Sequence, residues 1–303
     1  MNFTFAMITA SQKNPNEDAS DETVAKRIWK IVQAIESENI PEYQFILLGG
    51  SMPKWLEDEI SNRKINFSHW IPDPEIDEQN LIGRKKNYFV DLAQYENIVY
   101  MHDYICPQPG WYKGMLEFGN DFQVMINKIY DSDGKRGFDW FINVDPHLFQ
   151  NKVHPDLLHL YNDRDKLETI PHLLPYGVDW MYHHQFIPGM FWIAKKHVMR
   201  FCPLHPELQW GQAEDIEWSF RVRDKFKISM NTACSVKFIK PGKTQPKPLV
   251  ELGPEEMKVI HEMKQTGWDN RIWAKDYWDK VKNAGHWTEE HENHFTSWKH
   301  FRA

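Results

Sequence analysis

The sequence contains only three cysteines in 303 residues, Cys106, Cys202 and Cys234. An odd number of widely spaced thiols predicts neither a disulfide framework nor the paired spacing of a zinc site. Low cysteine usage without disulfides is typical of a reducing compartment. We therefore expect a cytoplasmic protein in which each thiol is a packed side chain and not a nucleophile.

Long hydrophobic runs are missing as well. No apolar stretch approaches the roughly 20 residues that span a bilayer, and the chain has a mean hydropathy of −0.65. Residues 1–8 begin directly with a strand-like pattern, without the basic and apolar regions of a secretion signal. The sequence therefore predicts neither a membrane span nor a signal peptide.

Positive charge is in deficit, since 36 basic residues face 43 acidic ones and the net charge is −7. Proteins that bind phosphate backbones non-specifically are usually basic, so we expect no such nucleic-acid binding. With 41% hydrophobic and 14% aromatic residues, the chain is rich enough for one large globular domain or two modest ones.

The most informative segment is the apolar run at residues 98–105, which is typical of a buried strand. The apolar residues at its start lead to His102 and Asp103, and a turn rich in proline and glycine follows the segment. A carboxylate in this position lies where open α/β sheets bind ligands. Asp103 either faces a ligand or caps the turn after an ordinary strand.

Strands and helices alternate before this segment. Strands are predicted at residues 3–9 and 43–48, and helices at 22–38 and 81–93, the first from apolar positions recurring at helical spacing. This order favours right-handed crossovers and a parallel sheet. Later strands are predicted at 185–195 and, as a pair, at 227–239.

Two charged clusters stand at predicted helix starts. The basic cluster is Arg84, Lys85, Lys86 and Asn87. Cations at a helix N-terminus oppose the macrodipole, so the cluster either faces an anionic ligand or is a solvated basic turn.

The acidic cluster is Glu214, Asp215 and Glu217. Acidic residues in a first helical turn favour the dipole, which would explain them structurally. Glu214 and Glu217 share a face, however, and Asp215 points away from them. The cluster is therefore also able to present one carboxylate to a ligand.

The order of these segments resembles that of GT-A-fold glycosyltransferases, near the large family-2-like group, over roughly residues 3–240. Three motifs carry the resemblance: Gly83-Arg84-Lys85-Lys86-Asn87 leading into the strand that ends at Asp103, Pro188-Gly189-Met190-Phe191-Trp192, and Trp210-Gly211-Gln212-Ala213-Glu214-Asp215. The resemblance implies an α/β fold with a mixed, mostly parallel central sheet flanked by helices. It implies a catalytic domain at 1–245, followed by a Trp-rich helical extension at 246–303 packed on the core.

The same resemblance implies a glycosyltransferase that moves a sugar from a nucleotide-diphosphate sugar, such as a UDP-sugar, to an acceptor hydroxyl with inversion. It makes Asp103 the ligand of Mn²⁺ or Mg²⁺, Asp215 the catalytic base, and Glu214 its support or a contact of acceptor hydroxyls. The implied donor-binding residues are Thr9, Ala10, Ser11, Gly50, Ser51, Arg84, Lys85, Asn87, His102, Gly189 and Trp210.

The chain departs from the family pattern at two points. The usual Asp-x-Asp is His102-Asp103-Tyr104, with one carboxylate, and no histidine follows in residues 231–237, where Lys237 or Lys240 would replace part of the metal's charge. An alternative is therefore a non-catalytic protein that binds sugar nucleotides or glycans on the same fold. For an enzyme, a glycan, a protein, a lipid head group and a hydroxylated base in viral DNA all remain open as acceptors.

Overall fold

The computed structural model describes residues 1–9, 22–63, 65–144, 170–178, 180–181, 185–208, 214–240, 250–255 and 257–258. The chain divides into one compact unit of Met1–Ile142 with Pro171–Leu252 and a second of Asn143–Ile170 with Gly253–Ala303. Most of the second unit, including most of the predicted C-terminal extension, lies outside the described residues. The domain boundary at residue 245 therefore stays a prediction, and the fold below is that of the first unit.

Twelve strands are found among the described residues: β1 (Phe3–Ile8), β2 (Tyr43–Leu48), β3 (Asn66–Trp70), β4 (Asn97–His102), β5 (Ile105–Pro107), β6 (Val124–Tyr130), β7 (Phe141–Val144), β8 (Ile170–Leu173), β9 (Gln185–Phe186), β10 (Phe191–Lys195), β11 (Ile228–Phe238) and β12 (Val250–Glu251). Eight of them form the main sheet in the order β3-β2-β1-β4-β10-β6-β11-β5. A smaller sheet has the order β12-β8-β7-β9.

The first half of the main sheet is parallel. Strand β1 pairs in parallel with β2 and β4, and β2 pairs in parallel with β3. The residues that follow these four strands, Thr9, Gly49, Ile71 and Asp103, therefore lie along one side of the sheet, which we call the carboxyl edge. Strand β10 runs antiparallel to β4, so its beginning lies at this edge as well. The predicted mixed, mostly parallel sheet is confirmed.

Seven helices are described: α1 (Glu22–Ser37), α2 (Lys54–Ser61), α3 (Pro74–Glu78), α4 (Ile82–Leu92), α5 (Trp111–Phe118), α6 (Lys196–Phe201) and α7 (Glu214–Val222). The predicted helices at 22–38 and 81–93 are confirmed as α1 and α4. Helix α1 buries the apolar stripe read from the sequence, including Val24, Ile28, Ile31 and Ile35. No described helix is long and apolar enough to cross a membrane.

Two later predictions need correction. The strand expected at 185–195 is broken by a turn in which the Phe191 N–H donates to the Pro188 carbonyl over 3.1 Å. The strand pair expected at 227–239 is the single strand β11, whose pairing with β6 shifts register between Asn231 and Ser235. In the segment 185–195, Pro188 cannot donate a ladder hydrogen bond and the strand is interrupted. In the segment 227–239, the change of register within β11 has a sequence pattern similar to that of a turn between two strands.

Aromatic packing fixes the position of α7 on the sheet. Tyr100 of β4 stacks on Trp192 of β10 with centroids 4.0 Å apart, and Trp192 contacts Trp218 of α7 at 4.6 Å. The Trp218 indole N–H also donates to the Cys202 carbonyl over 2.6 Å. Large buried rings contribute much of the packing energy of a core, so the start of α7 is held firmly near β10.

The three cysteines are buried free thiols, as the sequence predicts. Burial raises the pKa of the Cys106 and Cys202 thiols to about 11 and that of Cys234 to about 12. A thiol with so high a pKa holds its proton at neutral pH and is a poor nucleophile.

Candidate active site

The ends of β1, β2 and β3 are locked together at the carboxyl edge. The Thr9 N–H donates to the Leu48 carbonyl over 3.0 Å, and the Gly49 N–H donates to the Trp70 carbonyl over 3.1 Å. A Cβ on Gly49 would lie 1.6 Å from the Thr9 hydroxyl oxygen. A larger residue at position 49 would therefore force the Thr9 side chain to move, because the two residues are in close contact.

The predicted nucleotide-binding residues at these strand ends are brought together only in part. Thr9, which follows β1, and Gly50, which lies after β2, are both buried. The Gly50 carbonyl oxygen lies 2.8 Å from His69 Nε2. Ser51 is exposed next to them. Ala10, Ser11 and Trp210 lie outside the described residues, so their predicted contacts stay predictions.

Asp103 follows β4 at the carboxyl edge and is paired with a cation of the protein. Its Oδ2 lies 2.9 Å from Arg27 Nη2 of α1, and the two side chains are only 6% and 11% exposed. The Asp103 N–H donates to the Ile8 carbonyl over 3.3 Å, which fixes the carboxylate beside the end of β1. Neighbouring His102 stacks its ring on Tyr104 with centroids 5.2 Å apart.

The predicted metal site does not fit these residues. Within the described ranges, no three His, Cys, Asp or Glu side chains are grouped so that they would hold a metal ion. Hard cations such as Mn²⁺ and Mg²⁺ bind several oxygen ligands, whereas the Asp103 carboxylate is neutralised by Arg27. The described residues around Asp103 therefore do not provide the oxygen ligands that Mn²⁺ or Mg²⁺ needs.

Asp215 occupies the first turn of α7, with its carboxylate against the turn before β10. Its Oδ2 accepts from the Gly189 N–H over 2.8 Å, and its Oδ1 accepts from the Ile216 N–H over 2.9 Å. A Cβ on Gly189 would lie 2.6 Å from Oδ2. The glycine of the predicted Pro188-Gly189 motif is therefore needed for the close approach of this carboxylate.

The pKa of Asp215 is raised from 3.8 to about 7. Burial of the carboxylate is the largest cause and the charge of Glu214 is the second, while Lys86 and the two N–H donors oppose the shift. The residue as a whole is half-buried. A carboxylate with a pKa close to neutral is suited to accept a proton from a substrate hydroxyl.

Lys86 of α4 contacts both the turn before β10 and the start of α7, the two segments that surround Asp215. Its Nζ donates to the Gly189 carbonyl over 3.0 Å and to Glu214 Oε1 over 2.7 Å, and its side chain is 3% exposed. Lys86 belongs to the basic cluster but is not among the residues predicted to bind the donor. Helical spacing offered a signal, because Lys86 shares the buried face of α4 with Ile82, Phe89 and Val90.

The other members of the basic cluster also contact groups of the protein. Arg84 forms an ion pair with Glu207, and Lys85 forms a buried one with Asp77. The Asn87 amide donates to the Leu204 carbonyl over 2.8 Å and accepts from the Leu204 N–H over 2.9 Å. The helix dipole disfavours basic residues at the start of α4. These contacts with other groups of the protein explain why such residues are found there. The predicted contact of the basic cluster with a diphosphate stays a prediction.

The structure places Asp103 and Asp215, 112 positions apart in the sequence, at the same edge of the sheet. The His102 N–H donates to the Met190 carbonyl over 3.1 Å, and the Gly189 N–H donates to Asp215. Strand β4, which precedes Asp103, and helix α7, which has Asp215 in its first turn, are thus joined through the consecutive residues Gly189 and Met190. Glu217 lies apart from this contact, in a bidentate pair with Arg221 at 2.6 and 2.7 Å.

Comparison by sequence finds no relative: no family model matches the chain, and no curated protein matches it. Comparison by structure finds many. S. aureus TarS 1-349 in complex with UDP-GlcNAc matches with a TM-score of 0.50 and 12% identity, covering 86% of this chain and 64% of that one. GalNAc-T7 with UDP, GalNAc and Mn²⁺ matches with a TM-score of 0.53 and 12% identity, covering 92% of this chain and 50% of that one.

These likenesses concern the fold, and this chain spans about half to two thirds of the length of the two solved chains. The large, mostly parallel central sheet and its helices agree with this likeness. The chain therefore has the GT-A fold, a mixed α/β fold built on a large, mostly parallel central sheet.

Proposed function

We propose that the chain is a glycosyltransferase that transfers a sugar from a nucleotide-diphosphate sugar to an acceptor hydroxyl. The observation that carries the proposal is Asp215, a residue at the carboxyl edge of a GT-A sheet whose buried carboxylate has a pKa raised to about 7. This edge is where open α/β sheets bind their ligands. A base of this pKa at this place fits the removal of a proton from an acceptor hydroxyl.

The proposed reaction is a single displacement. Asp215 takes the proton of the acceptor hydroxyl, and the acceptor oxygen forms a bond to the anomeric carbon of the sugar. The bond from that carbon to the phosphate oxygen breaks, and the nucleoside diphosphate leaves with the electron pair. Attack from the side opposite the leaving group inverts the anomeric configuration.

Hydrogen bonds keep the base in place for this step. The Gly189 and Ile216 N–H groups each donate to one carboxylate oxygen, so both oxygens have fixed positions. Lys86 holds Gly189 from its carbonyl side and neutralises Glu214. Positioning of this kind contributes to rate because the reacting groups need little further alignment.

A UDP-sugar is the donor that we propose, because solved structures of similar fold were obtained with UDP-GlcNAc and with UDP and GalNAc. We assign the nucleotide to the ends of β1 and β2 at Thr9, Gly50 and Ser51, and the acceptor to the side of Asp215. The acceptor is proposed only as a hydroxyl compound. Glycans, proteins and hydroxymethylated DNA bases are the classes to screen.

The test is release of UDP from a panel of UDP-sugars, with and without acceptors, by the wild type and by Asp215→Asn. The asparagine is isosteric but cannot take the proton, so turnover should fall about 1,000-fold while UDP still raises the melting temperature. Asp58→Asn, which alters an exposed carboxylate of α2, is the matched control and should behave like the wild type. Nucleotide binding without turnover by the wild type under every condition would instead indicate a non-catalytic binding protein.

A further inference from the structure

The Arg27–Asp103 ion pair stands where the sequence predicts a metal site. Arg27 belongs to the second turn of α1, and its Nη2 lies 2.9 Å from Asp103 Oδ2. Its Nε is buried and has no hydrogen-bond partner within the described residues. A guanidinium has five N–H donors and its Nη2 contacts Asp103, so the Arg27 head group, whose side chain is 11% exposed, has further donors for a second anion.

This pair changes what the site attracts. The guanidinium neutralises the carboxylate charge that would draw a divalent cation to Asp103. A divalent cation bound to Asp103 would lie within a few ångströms of a fixed positive charge, and like charges at that distance repel strongly when water is largely excluded. Metal binding would therefore require Arg27 to leave a contact in which both side chains are almost fully buried.

Arg27 is also placed for the ligand that a metal would otherwise neutralise. Asp103 is fixed beside the end of β1 by the bond from its N–H to the Ile8 carbonyl. The guanidinium held by Asp103 therefore lies at the carboxyl edge, beside the ends of β1 and β4. Arginine presents several donors in a planar fork that matches phosphate oxygens and is always charged.

We infer that the chain binds the diphosphate of its nucleotide donor without a divalent cation, with the Arg27 guanidinium, oriented by Asp103, as the positive charge beside it. The inference rests on the proposed function, because it concerns the nucleotide of the same site. It goes beyond that function by giving Arg27 a ligand and Asp103 the role of a positioning residue.

Calorimetric titration with UDP tests the inference. The dissociation constant should be the same within about twofold in EDTA, in Mn²⁺ and in Mg²⁺. An affinity that rises tenfold or more with Mn²⁺ would overturn the inference and leave the proposed function intact. If UDP fails to bind in all three conditions, the nucleotide of the proposed function is wrong and the inference falls with it.

Variants separate the role of Arg27 from an effect on folding. The double variant R27M/D103N removes both charges together, so that no uncompensated buried charge remains. It should fold with a near-native melting temperature but bind UDP at least about tenfold more weakly, as expected for a lost charged hydrogen bond. Wild-type UDP affinity in this variant would refute the role of Arg27.

Arg63→Met is the matched control. Arg63 also forms an ion pair with α1, but with Glu36 at the opposite end of the helix, and its loss should leave UDP affinity unchanged.

The single variant D103N adds a second contrast. It keeps the guanidinium and should retain measurable UDP binding in EDTA, whereas a metal held by Asp103 would make binding by the wild type vanish in EDTA.

Discussion

Replacing Glu214 by glutamine is the sharpest test of how the candidate base is tuned. Glutamine has the shape of glutamate and still offers an oxygen to the Lys86 ammonium, which now contacts Glu214 Oε1 over 2.7 Å. The change therefore removes one negative charge beside Asp215 and leaves the packing in place. Because the Glu214 charge raises the pKa of Asp215 and Lys86 lowers it, that pKa should fall in the variant.

The size of the effect follows from the charges. At an assumed separation of about 6 Å, two unit charges interact by about 2.8 kcal/mol at an effective dielectric constant of about 20. One pKa unit corresponds to about 1.4 kcal/mol. Lys86 already offsets much of the Glu214 charge. We therefore expect the pKa of Asp215 to fall by about one unit from its value of about 7, since burial, the largest cause of the shift, is unchanged.

The assay is the pH dependence of kcat/KM for UDP release in the presence of acceptor. The acidic limb of the profile should move about one unit towards lower pH in Glu214→Gln. Lys86→Met should move it in the opposite direction, because it removes the positive charge that lowers the pKa of Asp215. Identical acidic limbs in the wild type and both variants would refute the assignment of this limb to Asp215.

Three further predictions concern the same region. Gly189→Ala places a Cβ 2.6 Å from Asp215 Oδ2. Because the base is displaced, kcat should fall about 100-fold, while calorimetry should show unchanged UDP affinity. A wild-type kcat in this variant would contradict the positioning argument. The pKa of Asp215 is higher in the folded than in the unfolded chain, so its contribution to stability is present at acid pH and is lost as pH rises from about 4 through about 7. Asp215→Asn does not titrate, so its stability relative to the wild type in urea unfolding should increase as the pH rises from about 5 to about 8. Lys85→Met leaves Asp77 buried without its cation and should cost about 3 kcal/mol of unfolding free energy; weaker UDP binding at unchanged stability would instead support the predicted contact of Lys85 with the diphosphate.

Local sequence patterns were sufficient for the main elements of the fold. The apolar stripe of α1 and the apolar run of β4 each lie within one short segment, and the period of burial depends only on the geometry of that segment. The alternation of these elements then restricted the sheet to parallel crossovers. Asp103 and the acidic cluster stand out for the same reason, because each lies at the boundary of an element that the pattern defines. The choice of Asp215 within that cluster rests on the resemblance to GT-A-fold glycosyltransferases.

The partners of the charged residues could not be read in this way. Arg27 and Asp103 are 76 positions apart, Lys86 and Glu214 are 128 apart, and no local pattern relates such pairs. The sequence therefore gives no sign that Arg84, Lys85 and Lys86 each contact a carboxylate of the protein.

The sequence by itself determined which segments become strands and helices, because burial period and turn residues act over a few positions. The tertiary structure decided which charge neutralises which, and so placed a guanidinium beside Asp103 and a glycine N–H beside Asp215. The physical reason is that electrostatic and hydrogen-bond energies depend on distance in space, which the packing of the sheet sets and the order of the residues does not.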